Sequence, residues 1–273
     1  MIDVRGASRD SLASVRQVVS DLPGEANDLE TAGVQLFGVT ALLDEEAALR
    51  RALTDPARGA DERTGLADGL LADRVGEDTL AVVTTAVKAG WARTRDLVDA
   101  LEHAGILAII RSAEVAGRLD DLEDELFRFA RLIEGDPRLG QALTGRTVPA
   151  ERRVELARGL LADKAQSATV RLVEQAVAAP RGLGLTEALD YYGKLAAAWR
   201  ERLVATVRTA IPLDEADRER LARTLSRQYG HDIHLNVLLD PEVIGGLRVE
   251  LGDEVIDGTI AGRLDDARRR LAG

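Results

Sequence analysis

The sequence contains no cysteine, which excludes a disulfide framework, a thiolate metal site and a cysteine nucleophile, and agrees with a cytosolic setting. Aromatic residues are scarce as well, only 3% of 273 residues. The interior must therefore be built from Leu, Ala and Val, which suits closely packed helices. Long apolar runs are missing. The longest uncharged stretch runs from Thr31 to Leu43 and is interrupted by Gly33, Gln35, Gly38 and Thr40; a spanning helix needs roughly 18 apolar residues. The amino terminus, MIDVRGASRDSL, lacks the basic and apolar regions of a secretory signal. Direct membrane insertion is not expected, and any membrane association should run through other proteins. Basic charge is also short: 36 Lys and Arg against 47 Asp and Glu give a net charge of −11. That balance disfavours nucleic acid as a partner, because such binding depends on neutralising phosphates. The basic run Arg268-Arg269-Arg270 reads as a helix C-terminus, which favours cations.

What the chain does contain is concentrated at its C-terminal end. Leu247, Val249 and Leu251 alternate with Arg248 and Glu250, the period of a half-buried strand. Gly252-Asp253 turns the chain, Val255-Ile256 opens a second short strand, and Asp257-Gly258-Thr259 stops it. From Thr259 the period becomes helical, with Ile260, Leu264, Ala267 and Leu271 on one face. Gly245-Gly246 permits positive φ or close backbone approach where the strand begins. Asp253 and Asp257 suit turns through their side-chain oxygens, and Thr259 or Asp257 is placed to cap the last helix. Just upstream, Leu203, Ala205, Val207 and Thr209 predict a strand ending at Pro212. Asp214 can cap a helix to Tyr229 with Leu221 and Leu225 on its apolar face, and Ile233, Leu235 and Val237 predict another strand.

The rest of the chain is helical and internally duplicated. A shift of 90 residues aligns Gln35–Lys88 with Glu125–Ala178 without a gap, and 20 of the 54 positions are identical. Composition alone would give about five matches in so Leu- and Ala-rich a chain. Leu36-Phe37 falls on Leu126-Phe127, and Gly69-Leu70-Leu71-Ala72-Asp73 on Gly159-Leu160-Leu161-Ala162-Asp163. Each copy reads as a bundle of short amphipathic helices. In the second, Leu122, Leu126, Phe129 and Ile133 share a face, Gly135-Asp136-Pro137 is a break, and Pro149 stands at the first position of a further helix. Between the copies, Thr94 to Leu119 reads as one long helix that closes one bundle and opens the next. His103 on it is expected at the surface or at a boundary.

The C-terminal order of residues resembles one family. Asp240, Pro241, Ile244, Gly245, Gly246, Val249, Gly252, Asp253, Val255, Ile256, Asp257, Gly258, Thr259, Arg263 and Leu264 match the C-terminal signature of the δ subunit of F-type ATP synthases, the oligomycin-sensitivity-conferring protein family. The duplicated bundle is similar to the longer actinobacterial form. The resemblance implies a mainly α fold of two tandem helical bundles followed by a small α+β unit, divided at residues 1–109, 110–202 and 203–273. It implies a non-catalytic stator subunit, present once in a hetero-oligomeric complex. This subunit would sit at the cytoplasmic face of the cell membrane, holding the amino-terminal helices of α subunits and the end of b-type stalk helices. The signature residues, foremost Asp240, Pro241, Gly245, Gly246, Gly252, Asp253, Ile256, Asp257, Gly258, Arg263 and Leu264, would then be structural.

Chemistry is otherwise hard to find. There is no phosphate loop, no nucleophile elbow and no H-E-x-x-H pattern. His231 and His234 lie three apart in a strand pattern and face opposite sides, which disfavours joint metal ligation. Asp120-Asp121 and Asp265-Asp266 read as solvated helix faces. No catalytic residue, cofactor or metal site is expected. A helical-repeat adaptor with unrelated partners is the alternative that the duplication alone would permit.

Overall fold

A computed structural model describes residues 7–145, 147–180, 182–201, 204–229, 233–241, 243, 245–252 and 254–258. The chain forms two compact units, Met1–Ala196 and Ala197–Gly273. The first carries α1 (Ala7–Asp21), α2 (Ala26–Glu45), α3 (Ala47–Thr54), α4 (Ala60–Leu71), α5 (Glu77–Lys88), α6 (Thr94–Val115), α7 (Leu119–Gly135), α8 (Pro137–Thr144), α9 (Ala150–Leu161) and α10 (Ser167–Ala178). Helix α11 (Leu185–Glu201) leads out of it. The duplication is visible helix by helix, since α3, α4 and α5 begin and end 90 residues before α8, α9 and α10.

Helix α6 is the axis of this unit. Sixteen of its 22 residues are buried, from Asp96 to Ala113, because it packs against α1, α2 and α5 of the first copy and α7 and α10 of the second. Residues 109 and 110 both lie inside it, so the two bundles share one helix. The helix ends in a Schellman motif: Gly117 takes φ 68°, its N–H donates to Glu114 and the N–H of Arg118 reaches back to Ala113, satisfying terminal carbonyls. This burial overturns the expectation for His103, which is only 3% exposed. Its Nδ1 lies 3.1 Å from the Tyr191 hydroxyl. A lone polar residue on an apolar helix is a boundary residue only if that helix has a solvent face, and α6 has almost none.

Two helix-interior glycines explain how α2 comes so close to α6. A Cβ on Gly33 would stand 2.6 Å from Ile109 Cδ1, and one on Gly105 would stand 2.6 Å from Phe37 Cε1. Each would also lie within 3.1 Å of the other glycine's carbonyl oxygen. The contacts run in opposite order along the two helices, which are therefore antiparallel. Glycine in a helix interior costs about 1 kcal/mol of propensity, and here the close crossing offsets it.

A second device occurs in both copies. The N-caps of α5 and α10, Gly76 and Gln166, have no side-chain cap of their own. The acceptor comes from a neighbouring helix instead. Gln35 Oε1 of α2 accepts from Gly76 N (2.8 Å) and Thr79 Oγ1 (2.7 Å). Ninety residues on, Glu125 Oε2 of α7 accepts from Gln166 N (3.0 Å) and Thr169 Oγ1 (2.5 Å). Orphan donors at the helix start are thus satisfied across the bundle. In α8 the cap is local: Asp136 accepts from the N–H groups of Arg138 and Leu139, with Pro137 at the first helical turn. Pro149 proves to be the N-cap of α9, one residue before the expected position.

The second unit contains β1 (Val204–Thr209), α12 (Glu215–Tyr229), β2 (His234–Leu239), β3 (Leu247–Leu251) and β4 (Glu254–Asp257). The sheet order is β2-β1-β3-β4. β1 pairs parallel with β2 through the α12 crossover, and antiparallel with β3, which forms a hairpin with β4. Asp214 caps α12 by accepting from Asp217 N at 2.7 Å. One face of the sheet builds the core, with Ala205, Val207, Val249 and Leu251 packed with Leu225 and Ile233. The helix expected from Thr259, with Arg263 and Leu264, lies outside the described residues, as do Asp253 and His231.

Candidate functional site

In the second unit the described signature residues occupy the β2–β3 connection and the β3–β4 hairpin. Asp240 follows β2, donates its N–H to Thr209 O at 2.9 Å and places its carboxylate 3.7 Å from Arg208. Pro241 continues the turn at the surface. Gly245 and Gly246 take φ 65° and 82°, and Gly252 takes φ 55° where β3 ends, a conformation that L side chains adopt only with strain. Gly258 acts differently. Its N–H donates to Leu247 O at 3.0 Å, and a Cβ there would approach that oxygen to 3.1 Å. Ile256 pairs with Val249 on the core side, while Asp257 is the last residue of β4 and pairs with Arg248. Asp257 is thus a strand residue rather than the turn residue expected, because the β3–β4 ladder runs to its end.

The face of this sheet away from the core is charged. Arg208 and Arg248 are directly opposite each other, an unfavourable like pair that Glu250 bridges, 3.6 Å from Arg208 and 3.3 Å from Arg248. The edges stay open in part, with Leu239 61% and Val255 53% exposed. On the opposite side Tyr229 Oη donates to Glu254 Oε2 at 2.5 Å, tying α12 to β4.

That bond, by favouring the neutral phenol, pushes the Tyr229 pKa up to about 12, and burial pushes Tyr191 up to about 12, from an ordinary 10. Below pH 10 neither folded nor unfolded chain ionises these groups, so their contribution to stability is complete. Between about 10 and 12 the unfolded chain ionises first, and stability falls as pH rises. Of the three tyrosines, two are therefore expected to develop phenolate absorbance about 2 pH units above free tyrosine. Tyr191→Phe and Tyr229→Phe should each remove one of these late steps; a single transition near pH 10 in the native chain would refute the assignment.

In the helical unit the polar side chains join the two copies. Glu30 of α2 accepts from Ser167 Oγ (2.6 Å) and Arg171 Nε (3.0 Å) of α10. Arg171 also meets Glu174, which pairs with Arg158 of α9 at 2.6 Å. The hydrogen bond to Glu30 is the main cause of a raised Arg171 pKa. Gln175 Nε2 donates to Glu102 of α6 at 2.9 Å. None of these residues was singled out from the sequence. The inter-helix caps left a legible trace there: an acceptor at 35 and 125 followed 44 residues later by threonine in both copies. Asp120 and Asp121 are solvent-exposed. Among the described residues no group of three metal-binding side chains occurs, and no helix is long and apolar enough to cross a membrane.

Two copies of a helical unit sharing one helix, joined to a small α+β unit with a glycine-shaped hairpin, define a mainly helical protein built on an internal duplication. The family described as ATP synthase delta (OSCP) subunit matches residues 107–271, from within α6 through the second copy and the sheet. The similarity to whole δ subunits extends over the first copy too. "ATP synthase subunit delta" of Acidothermus cellulolyticus is 49% identical, covering 98% of this chain and 100% of its own length. That of Thermobifida fusca is 46% identical (99% and 100%), and that of Streptomyces coelicolor 45% (100% of both). The chain belongs to the ATP synthase delta (OSCP) subunit family, in its long actinobacterial form. It is a peripheral-stalk subunit of the F-type ATP synthase.

Proposed function

We propose that this chain acts once per complex as the stator connector, held peripherally at the cytoplasmic face of the cell membrane through the other subunits. The helical unit would take the amino-terminal helices of catalytic-head α subunits by helix-in-groove recognition. The α+β domain, residues 203–273 of the second unit, would take the end of the b-type stalk helices, with its signature residues shaping the hairpin. Rotation drags on the catalytic head, and a strut has to resist that drag. A connector needs firm grip and little internal motion, and no chemistry of its own. The observation that carries this reading is the fixed-order signature, three of whose glycines take positive φ at the β2–β3 connection and the β3–β4 turn.

Co-purification from membranes should recover α and b subunits with the chain. Isolated protein should neither hydrolyse ATP nor gain thermal protection from it, and either result would sink the non-catalytic reading. Titration of an α amino-terminal peptide into the full-length chain should saturate at two per chain if both copies hold a head helix. Saturation at one would make the first copy a brace. Gly246→Val should cost the second unit about 1–3 kcal/mol, since valine is strained at φ 82°. Affinity for a peptide from the end of the b-type stalk helix should fall while helical ellipticity persists; undiminished affinity would remove the hairpin from the stalk-binding role.

A further inference from the structure

The repeat predicts a contact that only one copy makes. In the second copy, α2 touches α10 through Glu30, which is bonded to Ser167 and Arg171. Shifted back 90 residues, those positions are Glu77 and Ala81 of α5, and both are exposed. Between α4 and α5 the structure holds an open groove of about 350 Å³, whose lining includes Asp68 of α4 and Glu77, Leu80, Ala81 and Lys88 of α5. Its charge is inverted relative to the corresponding positions of α9 and α10. Asp68 stands where the second copy has Arg158, Glu77 stands for Ser167, and Ala81 stands for Arg171. Asp68, Glu77 and Lys88 form no ion pair among the described residues. The α4–α5 groove thus has the position of a helix-docking face and the opposite polarity at its acidic end.

We propose that the α4–α5 groove docks a basic amphipathic helix of another subunit of the complex. That helix meets α5 where α2 meets α10 in the other copy, with a Lys or Arg toward Asp68 and Glu77 and its apolar side on Leu80 and Ala81. The inference rests on the stator reading, which supplies the neighbouring subunits. A second copy of this chain is a poor occupant. The counterpart of α2 is α7, and Asp120 stands at the place of Glu30, so carboxylate would meet Glu77, the counterpart of Ser167. The repulsion also opposes a head-to-tail contact that would not close.

Because the chain has no cysteine, Ala81→Cys carries its sole thiol. The variant is assembled into ATP synthase, labelled with a benzophenone maleimide and irradiated, with Gly69→Cys, exposed and outside the groove lining, as control. The expected adduct joins position 81 to a net-positive helical segment of another subunit and is missing from the control. Adding Asp68→Lys and Glu77→Lys should reduce it at least about five-fold. Retention in the complex with no adduct above control, an adduct to a second copy, or indifference to charge reversal overturns the docking surface. If the chain does not assemble with the complex at all, the stator reading itself fails.

Discussion

Gly105→Leu is expected to destabilise the helical unit by about 3 kcal/mol or more, toward the upper end of overpacking costs. A side chain there would need space already taken by Phe37, and the Gly33 carbonyl oxygen lies 3.1 Å from its Cβ. Relief requires α2 and α6 to separate along the crossing that organises the first copy, loosening Leu36, Leu101 and Ile109, all fully buried. Urea unfolding followed by helical ellipticity would show a lower midpoint. A Cβ on Gly38 of the same α2 would come within 4 Å of nothing beyond its own stretch of helix, so Gly38→Ala should instead stabilise by up to about 1 kcal/mol. Opposite signs for two glycines in neighbouring helix interiors separate packing from propensity. If Gly105→Leu left the midpoint unchanged, the close crossing would not be a determinant of stability.

Arg63→Leu is expected to cost about 3 kcal/mol, because it orphans backbone acceptors from two segments at once. Arg63 is 8% exposed and donates to Val87 O (3.1 Å) and Lys88 O (3.0 Å) at the end of α5, and to Asp55 O (3.2 Å) and Arg58 O (2.8 Å) after α3. It closes helix ends that lack a capping glycine. The repeat supplies the control: Arg153, its counterpart, makes one longer bond of 3.4 Å, to Leu143 O. Arg153→Leu should therefore cost about 1 kcal/mol or less. Equal losses from the two variants would show that burial of the guanidinium, rather than its carbonyl contacts, sets the effect.

Local pattern and internal repetition determined much of this protein without its structure. Alternation of Leu247, Val249 and Leu251, a helix begun at Asp214, the break at Asp136-Pro137 and the 90-residue duplication each reflect interactions among near neighbours, which spacing records directly. The signature likewise placed glycines where the backbone takes positive φ, since that demand is met by residue type alone. Tertiary structure decided the rest. Nothing in the spacing of Gly33 and Gly105 pairs them, and they prove to be the place where two helices meet. His103 reads as a surface or boundary residue and is buried because one helix serves two bundles. Arg63, Glu30 and Arg171 look like any other charges in a chain rich in them. Each has a partner between 24 and 141 residues away, and periodicity reports which face of an element is apolar but not which other element will cover it.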